Sequence, residues 1–214
     1  MGFGRRGVLA ALATGVGVAL VPAPPSQPQL GRVQSADGRL QIDGVDAEGT
    51  IRDERDSPVA RYHYKRTDDG FEPTSPINVV FDLERAPGGL ERVMAPLEDS
   101  GWVRSLEEYT RYAYDADRDV YVRQQATAAE TYYGTSGRRH VRCWQFGSVV
   151  SMQAHVDTGA RPKHGIESYA DARQYLSRLY AGEGWDVSPQ TLNLENAQEP
   201  DHDGYATVIH EVEA

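Results

Sequence analysis

Between positions 139 and 173 the chain carries polar side chains where its pattern otherwise calls for strands. In Arg139-His140-Val141-Arg142-Cys143-Trp144, the period-2 alternation of an extended chain puts His140, Arg142 and Trp144 on one face and Val141 and Cys143 on the other. In residues 151–157 (SMQAHVD), Gln153, His155 and Asp157 share a face opposite Met152, Ala154 and Val156. If the two strands are neighbours, His140, Arg142, His155 and Asp157 converge on one sheet face. His164 follows in the next loop, and Asp171 and Arg173 lie on a helix beyond it.

These residue types leave three chemistries open. Histidines with Asp157 are ligands for Zn²⁺ or a similar divalent ion. Their sequence spacing is not compact, so that site depends on strand pairing. Arg142 and Arg173 with a histidine can clamp a phosphate or carboxylate, because guanidinium offers paired donors. A histidine paired with Asp157 could then serve as general base. The third outcome is a solvated sheet face, with Asp171 only capping its helix and Arg173 only covering it. Convergence separates them: a hydrolase needs His140, His155 or His164 within hydrogen-bond reach of Asp157, with an arginine in the same pocket. No G-x-S-x-G, P-loop, H-E-x-x-H or C-x-x-C occurs. The sequence requires no cofactor.

The elements that must position these residues read as follows. Residues 77–83 (INVVFDL), between Pro76 and Pro87, read as a buried strand. A helix follows from Gly88, with Leu90, Val93, Met94 and Leu97 on one face. Pro96 should kink it or end it early, and Gly101 can close it. Residues 149–156 form a second strand. Ser168 can cap a second helix, with Asp171 three residues on and Ala172, Leu176, Leu179 and Tyr180 as its apolar face. Strand, helix, Gly-Trp, strand thus occurs twice, marked by Trp102 and Trp185, and reads as a duplicated unit. Residues 61–65, 109–114, 129–133 and 139–146 read as further strands, the last two flanking a hairpin loop at 134–137. Residues 207–212 read as a last edge strand. The sum is an α+β fold: a mixed or antiparallel sheet with two helices packed on one face.

Composition bounds the setting. The formal charge is −10, and 20 of the 22 basic residues are arginine, Lys65 and Lys163 being the exceptions. Such a surface disfavours nucleic acid as a partner, and acid excess with scarce lysine fits a halophilic setting. The single cysteine, Cys143, forms no internal disulfide and reads as a buried thiol rather than a nucleophile. Arg5-Arg6 precedes an uncharged stretch at 7–21 that breaks at Pro22, too short to span a bilayer and suited to a signal segment. The pair resembles a twin-arginine export signal. Residues 1–23 are therefore read as a signal peptide or short N-terminal anchor, 24–60 as a linker and mobile segment, and 61–214 as one domain. Loss of Arg5 and Arg6 with the leader would take the charge from −10 to −12. The expected location is extracellular or on the outer face of the membrane, with membrane proximity through residues 7–21.

The pattern H-x-R-x-W at His140, Arg142 and Trp144, then Asp157, His164 and Asp171-x-Arg173, resembles the LssY C-terminal-type domain. The opening at residues 76–80 (PINVV), the helix and Gly101-Trp102 are similar to it as well, so that the likeness covers residues 74–187. Such domains occur alone on exported chains or attached to membrane proteins of the lipid-phosphatase and DedA kinds. The resemblance implies an envelope setting and a binding constellation of His140, Arg142, Trp144, Asp157, His164, Asp171 and Arg173, to which strand alternation adds His155. The expected function is an exported domain binding an anionic group of a lipid, glycan or phosphate ester. The alternatives are a phosphate-ester or metal-dependent hydrolase, and a protein-interaction module using exposed tyrosines, of which the chain has 12 against 4 Phe.

Overall fold

The computed structural model describes residues 42–105, 109–132, 137–159 and 165–212. Strands β1 (Tyr62–Thr67) and β2 (Gly70–Pro76) form a hairpin. Strand β3 (Val79–Asp82) leads into α1 (Gly89–Asp99), and β4 (Val103–Arg104) follows. Strands β5 (Tyr112–Asp115) and β6 (Val120–Arg123) make a second hairpin. Next come β7 (Ala126–Ala129), β8 (Arg139–Phe146), β9 (Val149–Asp157) and the short β10 (Ile166–Ser168). Helix α2 (Ala170–Gly182), β11 (Asp186–Asn193) and β12 (Tyr205–His210) come last.

The larger sheet has the order β11-β12-β3-β9-β8-β7-β4, with β10 paired to β9. It is mixed, since β12 runs parallel to β3 while its other pairs are antiparallel. Both helices pack on one of its faces. Val93, Met94 and Leu97 of α1 and Ala172, Leu176 and Tyr180 of α2 meet Val79, Phe81, Val141, Cys143, Met152 and Ala154 in one apolar cluster. The fold class is therefore α+β, with a mixed sheet and two helices on one face. Val79, Val80 and Phe81 are buried on both sides, which is why this strand reads as a continuous apolar run.

Several expectations need correction. A second, antiparallel sheet of order β2-β1-β5-β6 covers the other face of the large sheet, enclosing Trp144, Val80, Val208, Ala113 and Phe146 in a second apolar cluster. Residues 42–60, expected as linker and mobile chain, belong to the packed structure: Ile42, Ile51, Val59 and Ala60 are buried in that cluster. The last strand is not at an edge, because β12 lies between β11 and β3 with Ala206, Val208 and Ile209 buried. Helix α1 runs through Pro96 to Asp99. Proline removes only its own N–H bond there, and Leu97, one residue on, is fully buried in the core. Gly101, at φ 85°, then closes the helix as expected.

Candidate functional site

Strands β8 and β9 are antiparallel neighbours, with His140 opposite His155, Arg142 opposite Gln153 and Trp144 opposite Ser151. The helix face of this pair takes Val141, Cys143, Met152, Ala154 and Val156. The other set therefore points at the second sheet, and Arg138, His140, Arg142, Gln153, His155 and Asp157 are all buried there. The backbone pairing continues past β8, since the Asp157 N–H donates to the Arg138 carbonyl at 2.8 Å. Arg138 thereby joins the alternation two residues before His140.

The side chains form one connected circuit. Asp157 Oδ2 accepts from Arg138 Nε at 2.7 Å, and Arg138 Nη2 lies 2.7 Å from the same oxygen. Asp157 Oδ1 lies 3.0 Å from His155 Nε2 and 3.3 Å from His140 Nδ1. At the other end, Arg142 Nη1 lies 2.8 Å from His140 Nε2 and 3.5 Å from Gln153 Oε1. Gln153 Nε2 lies 2.7 Å from His155 Nδ1. The two imidazole rings meet edge to face, with centroids 3.9 Å apart.

Donor and acceptor chemistry assigns the protons. Guanidinium only donates, so His140 Nε2 accepts from Arg142, and its proton sits on Nδ1, facing Asp157. Turning the Gln153 amide over would set its NH₂ against the guanidinium, so its oxygen faces Arg142 and its NH₂ faces His155. His155 Nδ1 therefore accepts, and its proton on Nε2 is donated to Asp157. Two neutral imidazoles thus bridge Arg142 and Asp157 in parallel. Burial pushes the His140 pKa well down, reinforced by His155 and Arg142 and opposed by Asp157. Burial would raise the Asp157 carboxyl, but the hydrogen bonds from His140 and His155 hold it well below the usual carboxylate range.

The second sheet and the chain before α2 bring further polar groups to this layer, and sequence reasoning missed them. His63 of β1 stacks on Trp144 at 5.9 Å and lies 2.7 Å through Nδ1 from the Thr74 hydroxyl. Its pKa is pushed well down by burial, then by Arg142, Arg111 and His155. The Tyr169 ring passes between His155 and His202, at 6.4 and 5.7 Å. Burial pushes its phenol up, against the pull of Ser75 beside it. Thr127 of β7 stands opposite Arg142. Only Arg138 left a signal, as an even position in the period-2 pattern; His63 and Tyr169 arrive from other elements.

Of the residues expected at the site, His140, Arg142, His155 and Asp157 are brought together. Trp144 shares their face, but it packs among apolar residues and donates from Nε1 to the Val122 carbonyl at 3.1 Å. Arg173 is not in the cluster: it pairs with both carboxylate oxygens of Asp203 at 2.7 and 2.8 Å and lines a surface groove along α2. Asp171 is exposed in the first turn of α2 and lines that groove too. The two cannot join the cluster because α2 packs on the opposite face of the large sheet. His164 lies outside the described residues. Cys143 is buried, 3.9 Å from the Met94 sulfur, and burial pushes its thiol pKa up.

His140, His155 and Asp157 present donor atoms within 4.8 Å of one another, the spacing of a metal site. Their surroundings do not fit one. A metal-bound imidazole needs its other N–H to meet an acceptor, whereas His140 Nε2 faces the Arg142 guanidinium. Asp157 is also committed to Arg138.

Comparisons of the chain with family models, with curated proteins and with solved structures return no match.

Proposed function

We propose that this chain is an exported, envelope-associated binding domain that recognises an anionic group at the polar layer between its two sheets. One observation carries the reading. Among the described residues, this buried layer holds the guanidinium groups of Arg138 and Arg142 around neutral imidazoles and the carboxylate of Asp157, and the half-buried Arg111 is close enough to help push the His63 pKa down. That carboxylate is shared by Arg138 and two histidines, and Arg142 donates to His140 and reaches Gln153. Guanidinium groups gathered beside neutral imidazoles suit a small oxyanion such as the head of a phosphate ester, since arginine offers paired donors to such a group. Binding is favoured over hydrolysis because the lone pair of His140 Nε2 already faces Arg142 and that of His155 Nδ1 already faces Gln153, so neither ring offers it as a general base.

The export leader at Arg5-Arg6, the outer-face location, the halophilic setting and kinship with LssY C-terminal-type domains belong to the same reading. They are supported by the sequence patterns given above. Among the described residues no helix is long and apolar enough to cross a membrane. Titration calorimetry with inorganic phosphate and sulfate tests the binding. The wild type should bind, and Arg142→Gln should lose that heat while keeping its circular dichroism spectrum. A wild type giving no heat with either anion would overturn the reading.

A further inference from the structure

We infer that the outer face of the second sheet is a docking surface for a glycan that carries uronate carboxylates. This surface is separate from the polar layer and does not depend on the reading given for it. The two faces of the sheet differ in kind. His63 turns inward onto Trp144, and Ala113 and Val122 turn inward to the second apolar cluster. Alternation sends their neighbours the other way. Tyr64 stands opposite Tyr112, Tyr112 opposite Arg123, and Arg66 opposite Phe71, so these side chains share the outer face with Tyr121, two residues before Arg123. The rings form a platform. Phe71 stacks on Tyr121 with centroids 4.0 Å apart and planes 15° from parallel, and meets Tyr112 edge to face at 5.1 Å. Tyr64 packs edge-on against Tyr121 at 4.9 Å. Phe71, Tyr112 and Tyr121 are half-buried, because the large sheet packs only on the inner face of β1 and β5.

Charge selects the partner. Arg66 and Arg123 are exposed and meet no carboxylate among the described residues, whereas Arg52, Arg104 and Arg173 each pair with an acid. The acids nearby are placed elsewhere. Asp68 and Asp69 sit in the turn between β1 and β2, and Asp117 and Asp119 in the turn between β5 and β6. Glu72 pairs with Lys65, its partner in register, on the opposite face. Glu54 accepts from the Tyr64 hydroxyl at 2.7 Å, and Arg66 lies two residues beyond Tyr64 along β1. A guanidinium holds a carboxylate through two parallel N–H bonds. Arg66 and Arg123 stand on β1 and β6 with β5 between them, roughly 10 Å apart by strand spacing, so that two carboxylates of one oligomer can meet them together. The rings between them suit the rest of a sugar: an aromatic face packs on the C–H face of a pyranose, and a tyrosine hydroxyl pairs with its hydroxyls. A lipid surface fits less well. It takes apolar side chains that project into the headgroup layer, whereas these rings lie against one another on the sheet.

The test is calorimetry of the full chain with oligogalacturonate, with the same oligomer fully methyl-esterified, and with phosphatidylglycerol vesicles. The wild type should bind the acid form, and the ester, which keeps the sugar faces but not the charge, about tenfold or more weakly. Arg66→Gln combined with Arg123→Gln should weaken the acid form by a similar factor and leave the ester unchanged. Both arginines are exposed, so this variant should keep its circular dichroism spectrum and any response to inorganic phosphate at the polar layer. Phe71→Ala should weaken acid and ester alike; the arginine variant decides the matter if that protein does not fold. No heat with oligogalacturonate, or full affinity for it in the arginine variant, would overturn the inference. Vesicles bound through Arg66 and Arg123 in place of the sugar would assign the face to lipid and overturn it as well.

Discussion

Asp157 holds the two histidines and Arg138 together, so its carboxylate is the residue whose loss is felt first. Asp157→Asn keeps the shape but removes the carboxylate that Arg138 meets in a buried ion pair. Removing one partner of a buried ion pair costs about 3–5 kcal/mol, so the urea midpoint should fall by a corresponding amount. Replacing both partners, as in Arg138→Met with Asp157→Leu, should recover much of that loss. A single variant as stable as the wild type would mean that the pair is not buried. The same residues set the response to pH. His63 and His140 are pushed well below the ordinary value near 6.5 in the folded state. Below that ordinary value the unfolded chain binds protons that the folded chain does not, so stability falls as pH drops. Asp157, depressed in the folded state, contributes stability above its unfolded value that is lost as pH falls further. Both effects make the protein acid-labile, beginning below about pH 6.5. A urea midpoint unchanged between neutral pH and about pH 5 would contradict neutral buried histidines.

At the scale of elements, α2 depends on a residue far from it in sequence. Ser168 Oγ accepts from the Asp171 N–H at 2.9 Å, as the sequence leads one to expect. Asp201 does more, accepting from the Tyr169 and Ala170 N–H groups at 2.7 and 3.3 Å and from the Ser168 hydroxyl at 2.5 Å. Asp201→Ala should destabilise the fold by about 1–2 kcal/mol, the range for a lost helix cap, and Asp171→Ala by less than half of that. Equal losses would shift the capping role away from Asp201. What could be read from the chain follows the same division. Alternation in β8 and β9 separates Val141, Cys143, Met152, Ala154 and Val156 from the polar set, because a strand buried on both faces still obeys period 2. Helical periodicity likewise picks out Val93, Met94 and Leu97, and Ala172, Leu176 and Tyr180. The second sheet was not legible, since period 2 in Tyr62–Thr67 or Tyr112–Asp115 does not say which strand is the neighbour. For the same reason His63, Tyr169 and Asp201 could not be placed, and Arg173, expected to join the cluster, sits on a helix that packs on the other face of the sheet.

For the whole molecule the dominant quantity is charge. Carboxylates gathered at net −10 repel one another unless salt screens them. The unfolding midpoint should therefore rise steeply from dilute buffer to molar KCl, and a flat or falling midpoint would contradict a salt-adapted surface. Export is tested by changing Arg5 and Arg6 to lysine, which should hold the protein inside the cell; unchanged export would end the twin-arginine reading. The central claim is the circuit that places two neutral imidazoles between Arg142 and Asp157. Nitrogen-15 NMR of protein labelled in its histidine rings, at neutral pH and without added anion, reads it directly. His140 should carry its single proton on Nδ1 and His155 on Nε2, each with a hydrogen-bonded acceptor as its other nitrogen. Doubly protonated rings, or the opposite tautomers, would contradict it.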